Sequence, residues 1–348
     1  MPSISIDTFF ACTLMVSVVL ISTVLSSGIL TSHINSLQGL NQEEYFQAIS
    51  EYILSNTGTP ADWGSNANRI PETLGLAKTD SLYTNELDID KVSRLNTQNA
   101  FALTYAETLR AARLKDIALS ISILQLINIS ISLSSNFISL NSTKYGFKIY
   151  ANEDGAPVQT SLHYYVIARN FVYDAFNATA NDGTSHIDVE IPNASSGTVS
   201  LVIFARPNHD SRMTAYGVYS FGHLSPDPSP DGAFVKLTPL NYTLSTDLNG
   251  SETTVEKCYA LSYSYRFDLA QTAEGKYQIP GILENSPIVL IVSGSSNSSY
   301  FTEWTSYPQI PFEAGADFKN AESYSYSYIA TVKNVPCRLT LRFGGISQ

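Results

Sequence analysis

Ile117-Ala-Leu-Ser-Ile-Ser-Ile-Leu124 and Asn128-Ile-Ser-Ile-Ser-Leu133 alternate apolar with small polar side chains. A strand points successive side chains to opposite faces, so a period of two marks strands with one face in a core. From Asp116 onward the chain continues in this manner. Further strand candidates are Tyr145–Tyr150, Val158–Arg169, Ile187–Ile191, Thr198–Ala205 and Met213–Phe221, then Thr253–Leu269, Ile288–Ser293, Ser323–Lys333 and Arg338–Phe343. Glu153-Asp154-Gly155, Asn181-Asp182-Gly183 and Ser195-Ser196-Gly197 separate the first set, because Gly, Asn and Asp tolerate the backbone of tight turns. Many short strands with such turns predict antiparallel β-sandwiches of Ig-like arrangement. Ser225-Pro-Asp-Pro-Ser-Pro-Asp-Gly232 cannot form a central strand and reads as a linker between two of them.

Upstream of Asp116 the periodicity becomes helical. Asn99 is placed to cap a helix from about Phe101 to Leu114, and Asp88 or Asp90 to cap Lys91–Leu95. Asn56–Asp80, with Gly58, Pro60, Gly64 and Pro71, reads as a loop pinned by Trp63 and by Leu74-Gly75-Leu76-Ala77. Before it, Tyr45, Ile49, Tyr52 and Ile53 recur at the spacing of one helix face, with Asn41 as N-cap. No charged residue lies between Asp7 and Glu43, and Phe9–Leu30 is almost wholly apolar. As a helix that stretch matches the roughly 30 Å core of a bilayer. It lacks the basic start of a secretory signal, and no Lys or Arg flanks it to set orientation.

The expected fold class is α+β: a long N-terminal apolar helix followed by antiparallel β-sandwich (Ig-like) domains. Its expected parts are a membrane or filament-core helix with an amphipathic continuation (1–56), a loop with short helices (57–115), a first β domain (116–224), the linker (225–232) and a second β domain (233–348).

Composition narrows the function. The 348 residues carry a net charge of -11, which argues against nucleic acid as a partner. Cys12 lies in the apolar stretch, so Cys258 and Cys337 remain as the candidate disulfide of an exported domain. Candidate N-glycosylation sequons begin at Asn128, Asn141, Asn177, Asn193, Asn241, Asn249 and Asn297. His33, His163, His186, His209 and His223 are scattered without metal-ligand spacing. Asn208-His209-Asp210-Ser211 holds triad residue types, but sequence neighbours rarely form triad geometry, and it reads as a turn. Asp227, Asp231 and Gly232 do not follow a calcium-loop pattern. Phosphate-loop, dinucleotide and nucleophile-elbow motifs are missing, so no enzyme, cofactor or metal is expected. Ser262-Tyr-Ser-Tyr265 and Ser323-Tyr-Ser-Tyr-Ser-Tyr328 line Tyr on one face, as packed cross-strand ladders do.

The first 55 residues resemble the type IV pilin superfamily, in particular archaeal pilin-like surface proteins. The matching features are the nearly unflanked apolar helix, its amphipathic continuation through Leu54 and the β-rich body that follows. Trp63-Gly64, Leu74-Gly75-Leu76-Ala77 and Lys91-Val-Ser-Arg-Leu-Asn96 resemble archaeal members more loosely. A chain starting at Ser3 would put Asp7 at the fifth position, where many pilins carry an acidic residue that meets a neighbouring subunit's terminal amine. Only Met1-Pro2 stands where a prepilin has its basic leader. The resemblance implies an extracellular filament subunit, membrane-anchored before assembly, that polymerises with copies of itself. Asp7, Phe9, Phe10, Leu14, Val18, Leu20, Ile21, Leu25 and Leu30 would then carry assembly. The other reading is a monomeric membrane-anchored surface protein whose β domains bind a surface glycan or a protein.

Overall fold

The computed structural model describes residue 15 and residues 42–81, 83–229, 232, 234–281, 284–297, 299–318 and 322–345. The chain divides into two compact units, Met1–Glu51 and Tyr52–Gln348. Strands dominate, and the expected fold class is corrected. Among the described residues α-helix is confined to 42–55, Ile89–Ser93, Tyr105–Ala111 and the single position Met15, with a 3-10 turn at Asn193–Ser195. No helix among the described residues is long and apolar enough to cross a membrane, so the expected transmembrane helix is not found there. Apart from Met15, Phe9–Leu30 falls outside the described residues, and so do all nine expected assembly residues.

Separate Ig-like sandwiches are likewise replaced, by one stack of sheets. Sheet B joins Ile127–Ile138, Ser142–Glu153, Ala156–Pro157 and Thr184–Pro192. Sheet C runs in the order Ala215–His223, Gly197–Pro207, Thr160–Ala168, Phe171–Ala178. Sheet D runs Arg266–Asp268, Thr253–Leu261, Ile288–Ser296, Ser299–Tyr307. Sheet E runs Val235–Leu240, Thr243–Leu248, Lys276–Gln278, Gln271–Ala273.

Three cores hold these layers in the order B, C, D, E. Phe147, Ile149 and Ile187 of B meet Leu162, Val166, Leu201 and Ile203 of C. On the other face of C, Tyr165, Ile167, Val202 and Phe204 meet Tyr259, Leu261, Val289 and Ile291 of D. Cys258, Ala260, Leu290 and Val292, on the far face of D, meet Val235, Leu237, Leu244 and Tyr277 of E. Alternate residues of one strand therefore enter different cores. Sheets C and D have no water-facing side across their centres, which is why Leu201-Val-Ile-Phe-Ala205 and Ile288-Val-Leu-Ile-Val292 are unbroken apolar runs.

Sheet A draws on both ends of the second unit. Glu86–Leu87 pairs in parallel with Thr331–Val332 of Ser323–Val332, followed in order by Val335–Gly344, Ala118–Gln125 and Phe312–Gly315. Tyr324, Tyr326 and Tyr328 lie opposite Phe343, Leu341 and Leu339, so the Tyr row shares its face with buried side chains. The Glu153-Asp154-Gly155 turn forms as expected, with positive φ at Asp154 and Gly155.

The local helix signals were partly superseded. In helix 42–55 the buried positions are Phe46, Ser50, Ile53 and Leu54, while Tyr45 and Tyr52 stay exposed. Ser50 can sit on that buried face because its hydroxyl donates to Phe46 O at 2.8 Å. Asp88 is the cap of Ile89–Ser93, accepting from Asp90 N and Lys91 N. Thr104 outcompetes Asn99 downstream, because Glu107 completes a reciprocal capping box with it.

Two buried cations organise the loop between residues 56 and 101. The Lys91 ammonium donates to Thr57 O at 2.9 Å and Ala77 O at 2.8 Å. The Arg94 guanidinium reaches the carbonyls of Phe101, Trp63, Asn66, Arg69 and Ala67. Burial lowers the pKa of both groups, against the opposing pull of Asp88 on Lys91 and Glu107 on Arg94. Trp63 is fully buried and donates its indole N–H to Gly75 O, which pins the loop as expected. Asp90 accepts from the Tyr307 hydroxyl and Asn241 N, both at 2.8 Å, and so ties this loop to sheets D and E.

Lys333 sits in the turn before Val335–Gly344, its ammonium buried without a hydrogen bond and 5.5 Å from the centroid of the Tyr242 ring. Burial pulls its pKa down to about 8. The folded state thus gives up this proton before the unfolded chain does. Between pH 8 and about 9.5 the unfolded state binds more protons, so stability should rise with pH. Urea midpoints across that window should climb in the native chain and flatten in Lys333→Met; parallel curves would overturn the assignment.

Candidate functional site

Polar and aromatic groups converge where the edges of sheets C and D meet. Thr160–Ala168 directs Leu162, Tyr164 and Val166 into the B–C core, leaving His163 and Tyr165 on the D side. Directly across from His163 stands Phe176 of the edge strand, and the two rings stack at 4.0 Å and 17°. His163 is 4% exposed and Phe176 is 67% exposed, so Phe176 keeps one ring face open to solvent.

Both ring nitrogens of His163 face oxygens. Nδ1 contacts the Tyr263 carbonyl, and Nε2 lies 3.2 Å from Asp174 Oδ2. The other oxygen of Asp174 meets the Arg266 guanidinium at 3.5 Å, bridging the two sheet edges. The Tyr165 hydroxyl donates to Ser262 O at 3.1 Å, and burial drives its pKa far up, so the phenol stays protonated. Arg206 covers the Tyr263 ring with its guanidinium carbon 3.9 Å from the centroid, and pairs with Glu284 at 3.0 Å. Burial pushes the Glu284 carboxyl up, yet hydrogen bonds from Ser264, Ser262 and Arg206 outweigh it and hold the carboxyl below its usual range. Ser262 and Ser264 both donate their hydroxyls to Glu284, at 2.8 and 2.6 Å.

The arrangement is a pre-formed, hydrogen-bonded rim around one open aromatic face. It can present donors from Arg266, acceptors from Asp174 and a flat apolar surface from Phe176. The hydroxyls of Tyr165, Ser262 and Ser264 donate within the rim, to Ser262 O and to Glu284.

The sequence-derived candidates lie elsewhere. His209 faces Glu153 at 3.5 Å, and Asp210 forms a two-point contact with Arg212, so residues 208–212 are a turn. Asp227 accepts from Gly222 N, while Asp231 is outside the described residues. Among the described residues no group of three His, Cys, Asp or Glu side chains is placed to hold a metal ion. Cys258 and Cys337 are free thiols and do not form the expected bridge. Cys258 packs in the D–E core, while Cys337 lies in sheet A with its thiol toward Ala330 O. Burial lifts both thiols to about 12.

Asn128, Asn141, Asn177, Asn241, Asn249 and Asn297 are exposed. Asn193 is half-buried and donates its amide to Ser139 O and Leu140 O while accepting from the Thr143 hydroxyl, so this sequon braces the neighbouring turn.

In the sequence His163 is one of five scattered histidines. The signal that could have found it is a polar side chain at an inward position of Leu162-His-Tyr-Tyr-Val-Ile-Ala168, a strand otherwise apolar on both faces.

No family model matches the chain, and no curated protein matches it. The pilin resemblance of the first 55 residues gains no support from these comparisons. Solved structures with some likeness include HBP35 of Porphyromonas gingivalis, 12% identical over 52% of this chain and 63% of that one, with a TM-score of 0.21. Another is human GIVD cytosolic phospholipase A2, 8% identical over 67% of this chain and 33% of that one, with a TM-score of 0.16. This chain spans less than two thirds of the length of either. Likeness at this level carries no argument about fold or activity.

Proposed function

We propose that this chain is a surface protein of the cell exterior that acts by binding rather than by turnover, with a carbohydrate as ligand at the edge of sheets C and D. The open face of Phe176, stacked on His163 and flanked by Asp174 and Arg266, carries this reading. A sugar ring offers an apolar face for the aromatic and hydroxyls for the carboxylate and guanidinium. The hydroxyl- and amide-rich surface, with 15% charged residues, suits an exported protein.

A panel of fluorescent oligosaccharides tests it. Phe176→Ala should weaken binding of the recognised sugar about tenfold or more, a loss of ~1.4 kcal/mol. Phe176 is mostly exposed, so the urea midpoint should stay unchanged. Equal binding by the variant, or no binding by the native chain to any member, would overturn the proposal.

A second reading, self-assembly into an extracellular filament after membrane anchoring, is favoured by the uncharged stretch from Thr8 to Gln42. Electron microscopy of the purified full chain should then show ordered fibres, and dispersed monomers would count against it.

A further inference from the structure

An unpaired strand edge offers a row of backbone donors and acceptors to any passing chain, and proteins blunt such edges with charge, proline, short length or a cover. Most edges here are blunted. Sheet A ends in the two-residue Glu86–Leu87 and the four-residue Phe312–Gly315. Sheet D ends in the three-residue Arg266–Asp268 and in Ser299–Tyr307, whose Glu303 accepts from Phe234 N and Val235 N. Sheet E ends in Val235–Leu240, carrying Lys236 and Pro239, and in the three-residue Gln271–Ala273. One edge of sheet C carries Asp174. The other, Ala215–His223, is capped by the Gln125 amide on both backbone groups of Tyr216 and by Asp227 on Gly222 N. On the far side of sheet B, Thr184–Pro192 holds Asp188, Glu190 and Pro192.

The exception is Ile127–Ile138. It is twelve residues long, contains no charge or proline and, among the described residues, pairs only with Ser142–Glu153. Gly217 lies against Ile129, so sheet C shields its first half. From Ser132 to Ile138 every residue is exposed, with Leu133 at 40%, Phe137 at 71% and Ile138 at 61%. A bulge between Leu133 and Ser135 bends the strand but puts no charge or proline in the way.

We infer that Ser132–Ile138 is a docking edge for a second copy of this chain, paired antiparallel so that sheet B continues across a two-fold axis. Charge selects that occupant. Each copy carries -11, so two copies repel over most of their surface, yet from Ile117 to Thr143 the sequence holds no charged residue. An isologous contact sets each patch against itself. A neutral strip of Ser, Asn, Leu, Phe and Ile meets its own copy without placing like charges opposite one another.

Sedimentation of the full chain across a concentration series tests this. The native chain should show a reversible dimer, and Leu133→Lys combined with Phe137→Lys should reduce the dimer fraction at least tenfold at matched concentration. Both positions are exposed, so an unchanged urea midpoint should confirm that the variant folds. A native chain without a dimer, or a variant that dimerises as well as the native chain, would overturn the inference. Assembly through the N-terminal stretch and sugar binding at Phe176 should both persist in the variant, so failure of either earlier reading remains separately visible.

Discussion

Arg94→Ala should destabilise the second unit by about 3–5 kcal/mol, the range for removing one partner of a buried charged network. Five backbone carbonyls, from Trp63, Asn66, Ala67, Arg69 and Phe101, converge on this guanidinium, which is 2% exposed. Truncation would leave the buried Trp63 carbonyl and four part-buried carbonyls without this donor, and each buried orphan costs about 1–3 kcal/mol. Arg94→Lys should rescue little. An ammonium is a compact point donor with three protons, whereas the planar fork of Arg spans a wide ring of acceptors. Urea unfolding of the two variants beside the native chain checks both statements. If Arg94→Lys matched the native midpoint, the carbonyl ring would not be what holds the loop.

Val202→Asp and Val289→Asp should each prevent folding. In a sandwich with one core, alternate positions along a strand face water and accept a carboxylate. Here Val202 and Val289 face one another's sheets in the C–D core, and both are fully buried. An unpaired carboxylate there costs several kcal/mol, comparable with the ~5–15 kcal/mol that keeps a domain folded. Leu201→Asp, one residue away, should be as damaging because Leu201 enters the B–C core. Far-UV circular dichroism of purified material, with Ser132→Asp on the exposed strand as a tolerated control, distinguishes the cases. A folded Val202→Asp protein would mean that sheets C and D do not pack against each other.

Much of the strand content was legible because residues 117–133 and their successors keep a period of two, and Asp154-Gly155 supplied an unambiguous hairpin turn. The layering was not read. Leu201–Ala205 and Ile288–Val292 fit strands by composition, and an apolar run without alternation also indicates burial on both faces. Helix limits failed where two caps competed: Asn99 and Thr104 are both good caps, and only the reciprocal partner Glu107 decides between them. Among the described residues, the site at the C–D edge joins residues 163, 174 and 176 to 263, 266 and 284, a separation that no local pattern encodes. The apolar opening stretch drew the reading toward a pilin, yet the body itself is specified by the strands.

The parallel clasp of Glu86–Leu87 on Thr331–Val332, with Ala118–Gln125 held between Val335–Gly344 and Phe312–Gly315, has a consequence for biosynthesis. A nascent chain emerging from the ribosome can bring sheets B to E together while sheet A still lacks its C-terminal hairpin. The early strands must then wait, half-sheathed, until Ser323–Gly344 has been translated. Premature termination near residue 320 would strand Ala118–Gln125 without its main neighbour, making such fragments natural prey for quality-control proteases.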